Sequence, residues 1–384
     1  MKLLKIRVAG LPLCTETLEI DFFAKQRVEA EKNETMHHLF ANIYLNNAIA
    51  VIGINASGKT TILKIISFVM GMLNNKPINS IDTNEILEGV QTGGEVTFES
   101  FFYCENGTVN KLKTIIKKTA ENRNDEKYFI DNEELWSKNI DTIKKKKTFL
   151  DFDNLAPVMT RKKDEEFLMD DVSIIIAFNK KYEAGFFLCD MSKLTDFNVL
   201  SLLGEFPEEL IAFLDPSIEY FRINMDGNDV DIRLKFKDSA EFALNNPGML
   251  NRYLSSGTIK GIGVFMNAMF VFERGGYLII DELENHFNKE IVATLIRFFM
   301  DCKVNPNGAV LIFSTHYAEL MDEFDRNDNI YIVRNRNGIT AENLSNILKR
   351  NDIKKSEAYQ SDFLQGTVPA YDAYVNLKNV LMDS

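Results

Sequence analysis

The sequence predicts an α/β fold: a mostly parallel core sheet, an antiparallel β-layer and an inserted lobe of helix and strand. Three observations carry this. Apolar runs at 48–52, 277–280 and 309–313 have the length and unbroken hydrophobicity of strands buried on both faces. The first leads through a glycine-bearing loop into residues 61–72, whose apolar positions read as a helix. Segments at 94–103, 109–117, 220–225 and 230–236 instead alternate apolar and polar residues, as half-exposed antiparallel strands do.

The loop between the first strand and helix is Gly53-Ile-Asn-Ala-Ser-Gly58-Lys59-Thr60, a full match to the phosphate-loop pattern in its required strand–loop–helix setting. Glycines let backbone N–H groups turn inward as an anion nest, and the helix N-terminus adds partial positive charge. Gly53, Asn55, Ala56, Ser57, Gly58, Lys59, Thr60 and Thr61 are therefore the candidate nucleotide-binding residues. Lys59 can reach the β- and γ-phosphates, and the Thr60 hydroxyl can ligate Mg²⁺. ATP and Mg²⁺ are the expected cofactors.

Composition narrows the class. A chain of 384 residues with 45% hydrophobic and 26% charged residues can bury a large core and reads as globular. Its net charge of −12 argues against a surface built wholly for nucleic acid. Cys14, Cys104, Cys189 and Cys302 are widely spaced and form no CxxC pair, which points to a reducing cytoplasm. His37, His38, His286 and His316 are too scattered for a zinc cluster, and His37-His38 reads as a solvated turn or helix end. The first residues lack the apolar core of a signal peptide, and no run of 18 apolar residues offers a membrane span.

In chain order, residues 3–8 and 17–22 read as a hairpin around the turn at 10–12, and 24–45 as a loop with one short helix. Asn106-Gly107 is a hairpin turn between the strands at 94–103 and 109–117. Residues 111–163 are the basic region, with 14 Lys and Arg against 9 Asp and Glu, hence net +5, densest at Lys144–Lys147. It could contact nucleic acid or an acidic partner, or be an ordinary solvated face. Residues 173–178 read as a strand, and 195–211 as a helix that Pro207 breaks or kinks. The expected organisation is one unit: an N-terminal half over 1–94, an insertion over 95–250 and a C-terminal half over 251–384.

The C-terminal half returns to the nucleotide. Leu254-Ser255-Ser256-Gly257-Thr258 opens a helix-like run, either as a second phosphate site or as simple capping. The strand at 277–280 ends in Asp281-Glu282: Asp281 is placed to hold Mg²⁺ through its water shell, and Glu282 to orient or deprotonate an attacking water. A helix follows at 289–300. The strand at 309–313 ends in Ser314-Thr315-His316, which sets His316 where open α/β sheets bind ligands, as a γ-phosphate sensor.

Taken in order, GINASGKT, LSSGT, LIIDE and STH resemble the ATP-binding cassette heads of the SMC, RecF and OLD-nuclease group. The resemblance implies an ATPase in which two heads close over two ATP molecules. Ser255, Ser256 and Gly257 would then touch the γ-phosphate bound by a second copy, Glu282 would be the general base, and 283–285 would cross between heads. It also implies a Mg²⁺-ligating glutamine after the phosphate-loop helix, for which Gln91 is the candidate in range. No stretch has the heptad regularity of a coiled-coil arm, and the 68 residues after His316 (384 − 316) are too short for a Toprim nuclease. What remains, with the run Asp281-Glu-Leu-Glu-Asn-His-Phe-Asn288 and the tail Gly366-Thr-Val-Pro-Ala-Tyr-Asp-Ala-Tyr374, is similar to compact ATPases of bacterial phage-defence systems, of the AbiL and PARIS AriA type, in which the ATPase senses infection and a separate effector acts. A RecF-like ATPase that clamps DNA is the alternative, and a phosphoryl-transfer kinase fits less well because LSSGT and STH have no task there.

Overall fold

The structure is a computed structural model that describes residues 1–28, 34–119, 128–161, 168–193, 204–226, 229–368 and 371–382. The chain opens with β1 (Lys2–Ala9) and β2 (Leu18–Asp21), an antiparallel pair as the alternation predicts. A register shift between Leu3 and Lys5 lets both leucines be buried, Leu3 in one core and Leu4 in another. Residues 37–45 form a second hairpin, β3 (His37–Phe40) and β4 (Ile43–Leu45). The expected solvated turn or helix end at His37-His38 is thus corrected to a strand. The His37 ring packs on Gly308, whose φ is +63° and whose added Cβ would lie 2.2 Å from the imidazole.

That packing has a measurable consequence. Burial, with Lys2 and His38 adding positive charge, pushes the His37 pKa down from 6.5 to about 4. The folded chain therefore binds fewer protons at this site than the unfolded chain between these values. The site weighs nothing against folding above about 6.5 and progressively more as the pH falls towards 4. Urea midpoints should drop across that window more in the native chain than in His37→Phe; equal drops would remove His37 as the cause.

β5 (Ala48–Ile52) is buried throughout and feeds α1 (Lys59–Leu73). Twelve of the fifteen α1 residues are buried, because the helix is covered on both sides. Next come β6 (Glu95–Cys104), β7 (Thr108–Lys118), β8 (Tyr128–Asn139) and β9 (Met159–Thr160). With the first hairpin they make an antiparallel sheet of order β2-β1-β6-β7-β8-β9, so this layer is shared between the N-terminal half and the segment after α1.

The run at 173–178, expected as a strand, is corrected to the start of α2 (Ile175–Tyr182). A short apolar run has no period to tell the two apart. Tertiary contacts decide it: buried Glu133 on β8 accepts the Ser173 hydroxyl and the Ile174 N–H, each at 2.7 Å, and the Thr114 hydroxyl at 2.7 Å. Burial raises the Glu133 pKa, and these hydrogen bonds oppose the rise.

β10 (Leu188–Asp190) and β11 (Gly204–Glu205) precede α3 (Glu208–Leu214). Residues 204–205, expected as helix, are corrected to strand β11, and Pro207 stands at the N-cap of α3; the expected helical residues at 195–203 lie outside the described residues. β12 (Ile218–Asp226), β13 (Asp229–Phe236) and β14 (Phe242–Leu244) complete a small antiparallel sheet of order β11-β12-β13-β14. Its apolar face packs on α3 and on α4 (Ser256–Arg274).

The remaining elements are β15 (Tyr277–Ile280), α5 (Lys289–Phe299), β16 (Val310–Thr315), β17 (Ile330–Asn335), β18 (Ile339–Asn343), α6 (Leu344–Ile347), α7 (Lys355–Gln360) and α8 (Tyr371–Met382). The central sheet runs β10-β15-β16-β5-β17-β18, parallel except for β18. Its period-2 alternation separates two cores. Ile49, Val51, Ile279 and Ile312 face α1 and the antiparallel sheet, whereas Ala50, Ile52, Leu278 and Phe313 face α4 and α5. Burying each such Ile, Leu or Phe contributes about 1.5–3 kcal/mol. The sheet thereby fixes the C-terminal ends of β5, β15 and β16 side by side. Among the described residues, no helix is long and apolar enough to cross a membrane.

Candidate functional site

The parallel register brings together three segments far apart in sequence. Residues 53–61 follow β5, 281–285 follow β15, and 314–316 end β16. They line one cleft of about 860 Å³ that includes Asn55, Ser57, Lys59, Thr60, Glu282 and His316.

The loop after β5 has the close packing its glycines require. Gly58 has φ +100°, and a Cβ there would lie 2.7 Å from Ile339. A Cβ on Gly53 would lie 2.3 Å from the Ser57 hydroxyl and 2.5 Å from the Val333 carbonyl. Lys59 Nζ donates to the carbonyls of Gly53 at 3.0 Å and Ile54 at 3.2 Å, and to His316 Nδ1 at 3.2 Å. Burial lowers its pKa, against the opposing pull of Asp281, Glu282 and Glu284. The ammonium is held in the concavity rather than extended into solvent.

Beside it, the Thr60 hydroxyl donates to Asp281 Oδ2 at 2.6 Å, and the Ser314 hydroxyl donates to the other Asp281 oxygen. Asp281 is buried, so its charge is fixed in place by hydrogen bonds. A hydroxyl and a carboxylate converging at the start of α1 suit a hard divalent cation such as Mg²⁺, and a concave backbone beside a buried lysine suits phosphate.

Glu282 leaves the strand in a left-handed turn with φ 46°. Its N–H donates to the Ser314 hydroxyl at 2.8 Å. Asn285 Nδ2 donates to Glu282 Oε2 at 2.7 Å, and His316 Nε2 faces Oε1 at 3.4 Å. Because the Lys59 ammonium donates to Nδ1, that nitrogen accepts and the ring proton sits on Nε2, towards Glu282. Partial burial pushes the Glu282 pKa up. The hydrogen bonds from Asn285 and His316 and nearby positive charge outweigh this and hold it below the usual carboxylate range. Buried Glu284 accepts the His316 backbone N–H at 2.5 Å and so fixes the end of β16.

The other expected site residues lie elsewhere. Ser255 caps α4, its hydroxyl accepting the Thr258 N–H at 3.0 Å; Ser256 opens the helix, and Gly257 packs against the His286 carbonyl. None of the three lines the cleft of its own chain. Gln91 does not line it either: its amide donates to the Gly89 carbonyl at 3.2 Å in an exposed turn. Asn285, Glu284 and Ser314 support Glu282, His316 and Asp281. From the β17–β18 hairpin, Asn335 donates to the Ala56 carbonyl at 3.3 Å and Ile339 packs on Gly58. No local motif marks these last two; sheet pairing delivers them.

A strand–loop–helix phosphate cradle with a second-strand carboxylate pair and a third-strand histidine defines a P-loop nucleotide-binding domain. Residues 48–322 match the family described as "AAA domain, putative AbiEii toxin, Type IV TA system", and the chain belongs to that family. Among solved structures it is similar to the SMC head domain from Thermotoga maritima, with 13% identity and a TM-score of 0.46, covering 89% of this chain and 99% of that one. A comparison with curated proteins yields no match.

Proposed function

We propose that the chain is an ATP-hydrolysing ABC-type ATPase that dimerises over ATP and serves as the sensor subunit of a bacterial anti-phage, abortive-infection system with a separate effector. The observation that carries the ATPase reading is the hydrogen-bonded series Lys59–His316–Glu282, set beside Thr60–Asp281. Gly53–Thr61 cradle the phosphates, and Lys59 turns from the loop carbonyls to the β- and γ-phosphates. Thr60 and Asp281 would hold Mg²⁺, which when bound neutralises developing phosphate charge. Water attacks the γ-phosphorus, its proton passes to Glu282, and the bond to the β-phosphate oxygen breaks to release ADP. Glu282 is ionised at neutral pH as an ordinary carboxylate is, and releasing the bonds from Asn285 and His316 that depress its pKa makes it a stronger acceptor for that proton. His316 holds its Nε2 proton beside the attacking water.

The dimer reading is supported by Ser255, Ser256 and Gly257 lying outside their own cleft at the start of a 19-residue helix. A helix N-terminus suits an approaching phosphate, which a second copy can present. The defence role draws on the family description and on the resemblance of the 281–288 and 366–374 segments to such ATPases.

The DNA-clamp reading has less support, because several described lysines of the basic region are engaged internally. Lys111 pairs with Glu99, Lys117 with Asp131, and Lys146 donates to the Gln26 carbonyl. In light scattering, a non-hydrolysable ATP analogue with Mg²⁺ should double the mass seen with ADP, and a monomer at saturation would end the sandwich reading. Tight, steeply salt-dependent duplex binding that is lost when Lys144, Lys145 and Lys147 become Gln would favour the DNA reading instead.

A further inference from the structure

We propose that Lys260 is a positioning residue that couples the two nucleotide sites of the dimer, by tying the turn that carries Glu282 to the helix that presents Ser255–Gly257. The inference rests on the ATP-sandwich reading and adds to it a route between sites. Lys260 lies one turn into α4 and is buried, with 7% exposure. Its Nζ donates to the Asn285 carbonyl at 2.9 Å and sits 5.3 Å over the Phe287 ring. The Asn285 side chain donates to Glu282 Oε2 at 2.7 Å. One residue on, the His286 carbonyl lies where a Cβ on Gly257 would come within 2.5 Å. The turn is thus held to α4 at two points, one at the residues offered to the partner's nucleotide and one at the lysine.

The geometry of the turn makes this link informative. Glu282 and His286 are non-glycine residues with positive φ, 46° and 69°. Such conformations persist only where surrounding contacts over-determine them. When Glu282 turns to an attacking water it releases Asn285, and the peptide grasped by Lys260 is free to shift. Lys260 transmits that shift to the start of α4, which serves the other site. A full lysine charge is seldom buried without a charged or polar task, and an apolar side chain would fill the same space against Phe287. Coupling between binding sites is reciprocal, so the effect appears as cooperativity in ATP.

The test compares the full chain with Lys260→Met, which keeps the stem and loses the donors, and with Lys260→Arg, which keeps the charge. Steady-state hydrolysis is titrated with ATP, and ATP affinity is measured separately in the monomeric state. The native chain should show a Hill coefficient approaching 2. Lys260→Met should fall to about 1 and lose roughly tenfold in kcat with unchanged monomer affinity and melting temperature, and Lys260→Arg should restore most of the cooperativity. A Lys260→Met protein that keeps native cooperativity, or that loses stability and affinity together while its Hill coefficient holds, overturns the proposal. So does a native chain that dimerises with ATP yet titrates with a Hill coefficient of 1. Failure of Glu282→Gln to dimerise with ATP would instead overturn the sandwich reading beneath it.

Discussion

Lys59→Ala loses ATP binding. The side chain already lies inside the cradle, bonded to the Gly53 and Ile54 carbonyls and to His316, and its ammonium exchanges those carbonyls for phosphate when ATP binds. Removing one partner of a buried charge pair costs about 3–5 kcal/mol, a drop in affinity of roughly two to four orders of magnitude. The loss should be specific to phosphate: a fluorescent ATP analogue should fail to bind in equilibrium titration, while circular dichroism stays native. Unchanged nucleotide affinity would remove the phosphate-loop assignment, and with it the functional reading built on it.

Glu282→Gln separates binding from turnover. The amide keeps the size of the side chain and one acceptor oxygen, so it can keep one of the bonds from Asn285 and His316, but it cannot take the proton of an attacking water. Loss of a general base lowers kcat on the order of 10²–10⁴-fold. ATP affinity should be retained, because Glu282 reaches the phosphate loop through the His316 relay rather than by a hydrogen bond of its own. ATP that binds without being consumed holds the two copies together, so ATP-dependent dimers should persist in size-exclusion chromatography. Turnover at the native rate would exclude Glu282 as the base.

The parts of the fold set by local chemistry were legible in the sequence. The phosphate loop and its flanking strand and helix follow from a contiguous pattern, as do β15 and β16 from unbroken apolar runs and β6–β7 from alternation around Asn106-Gly107. Where tertiary contacts decide, legibility ended. The short run at 173–178 became helical because Glu133 anchors it. β8 was hidden in a segment whose charges dominated its alternation; Asp131 pairs with Lys117 across the sheet, Glu133 is buried among hydroxyls, and Lys138 donates to loop carbonyls. His37 looked solvated until Gly308 brought a backbone against it. The site divides the same way. Lys59, Thr60, Asp281, Glu282 and His316 were readable because each ends an apolar run or sits in a motif. Asn335 reaches Ala56 across 279 residues, through the pairing of β17 with β5, and no local signal announces it.

The central sheet makes the two sides of the molecule unequal in stiffness. On one side α1 is enclosed between two sheets, with only three of its fifteen residues short of full burial. Close-packed interiors resist small displacements, so α1 acts as a stator that holds the phosphates against a fixed frame. On the other side α4 exposes Met269 and Phe270 and carries the small sheet on its first turns. That side is the compliant one. On the proposed reading, a movement driven by nucleotide would be taken up there, and the small sheet, carried at the end of α4, would be the pointer that displays it.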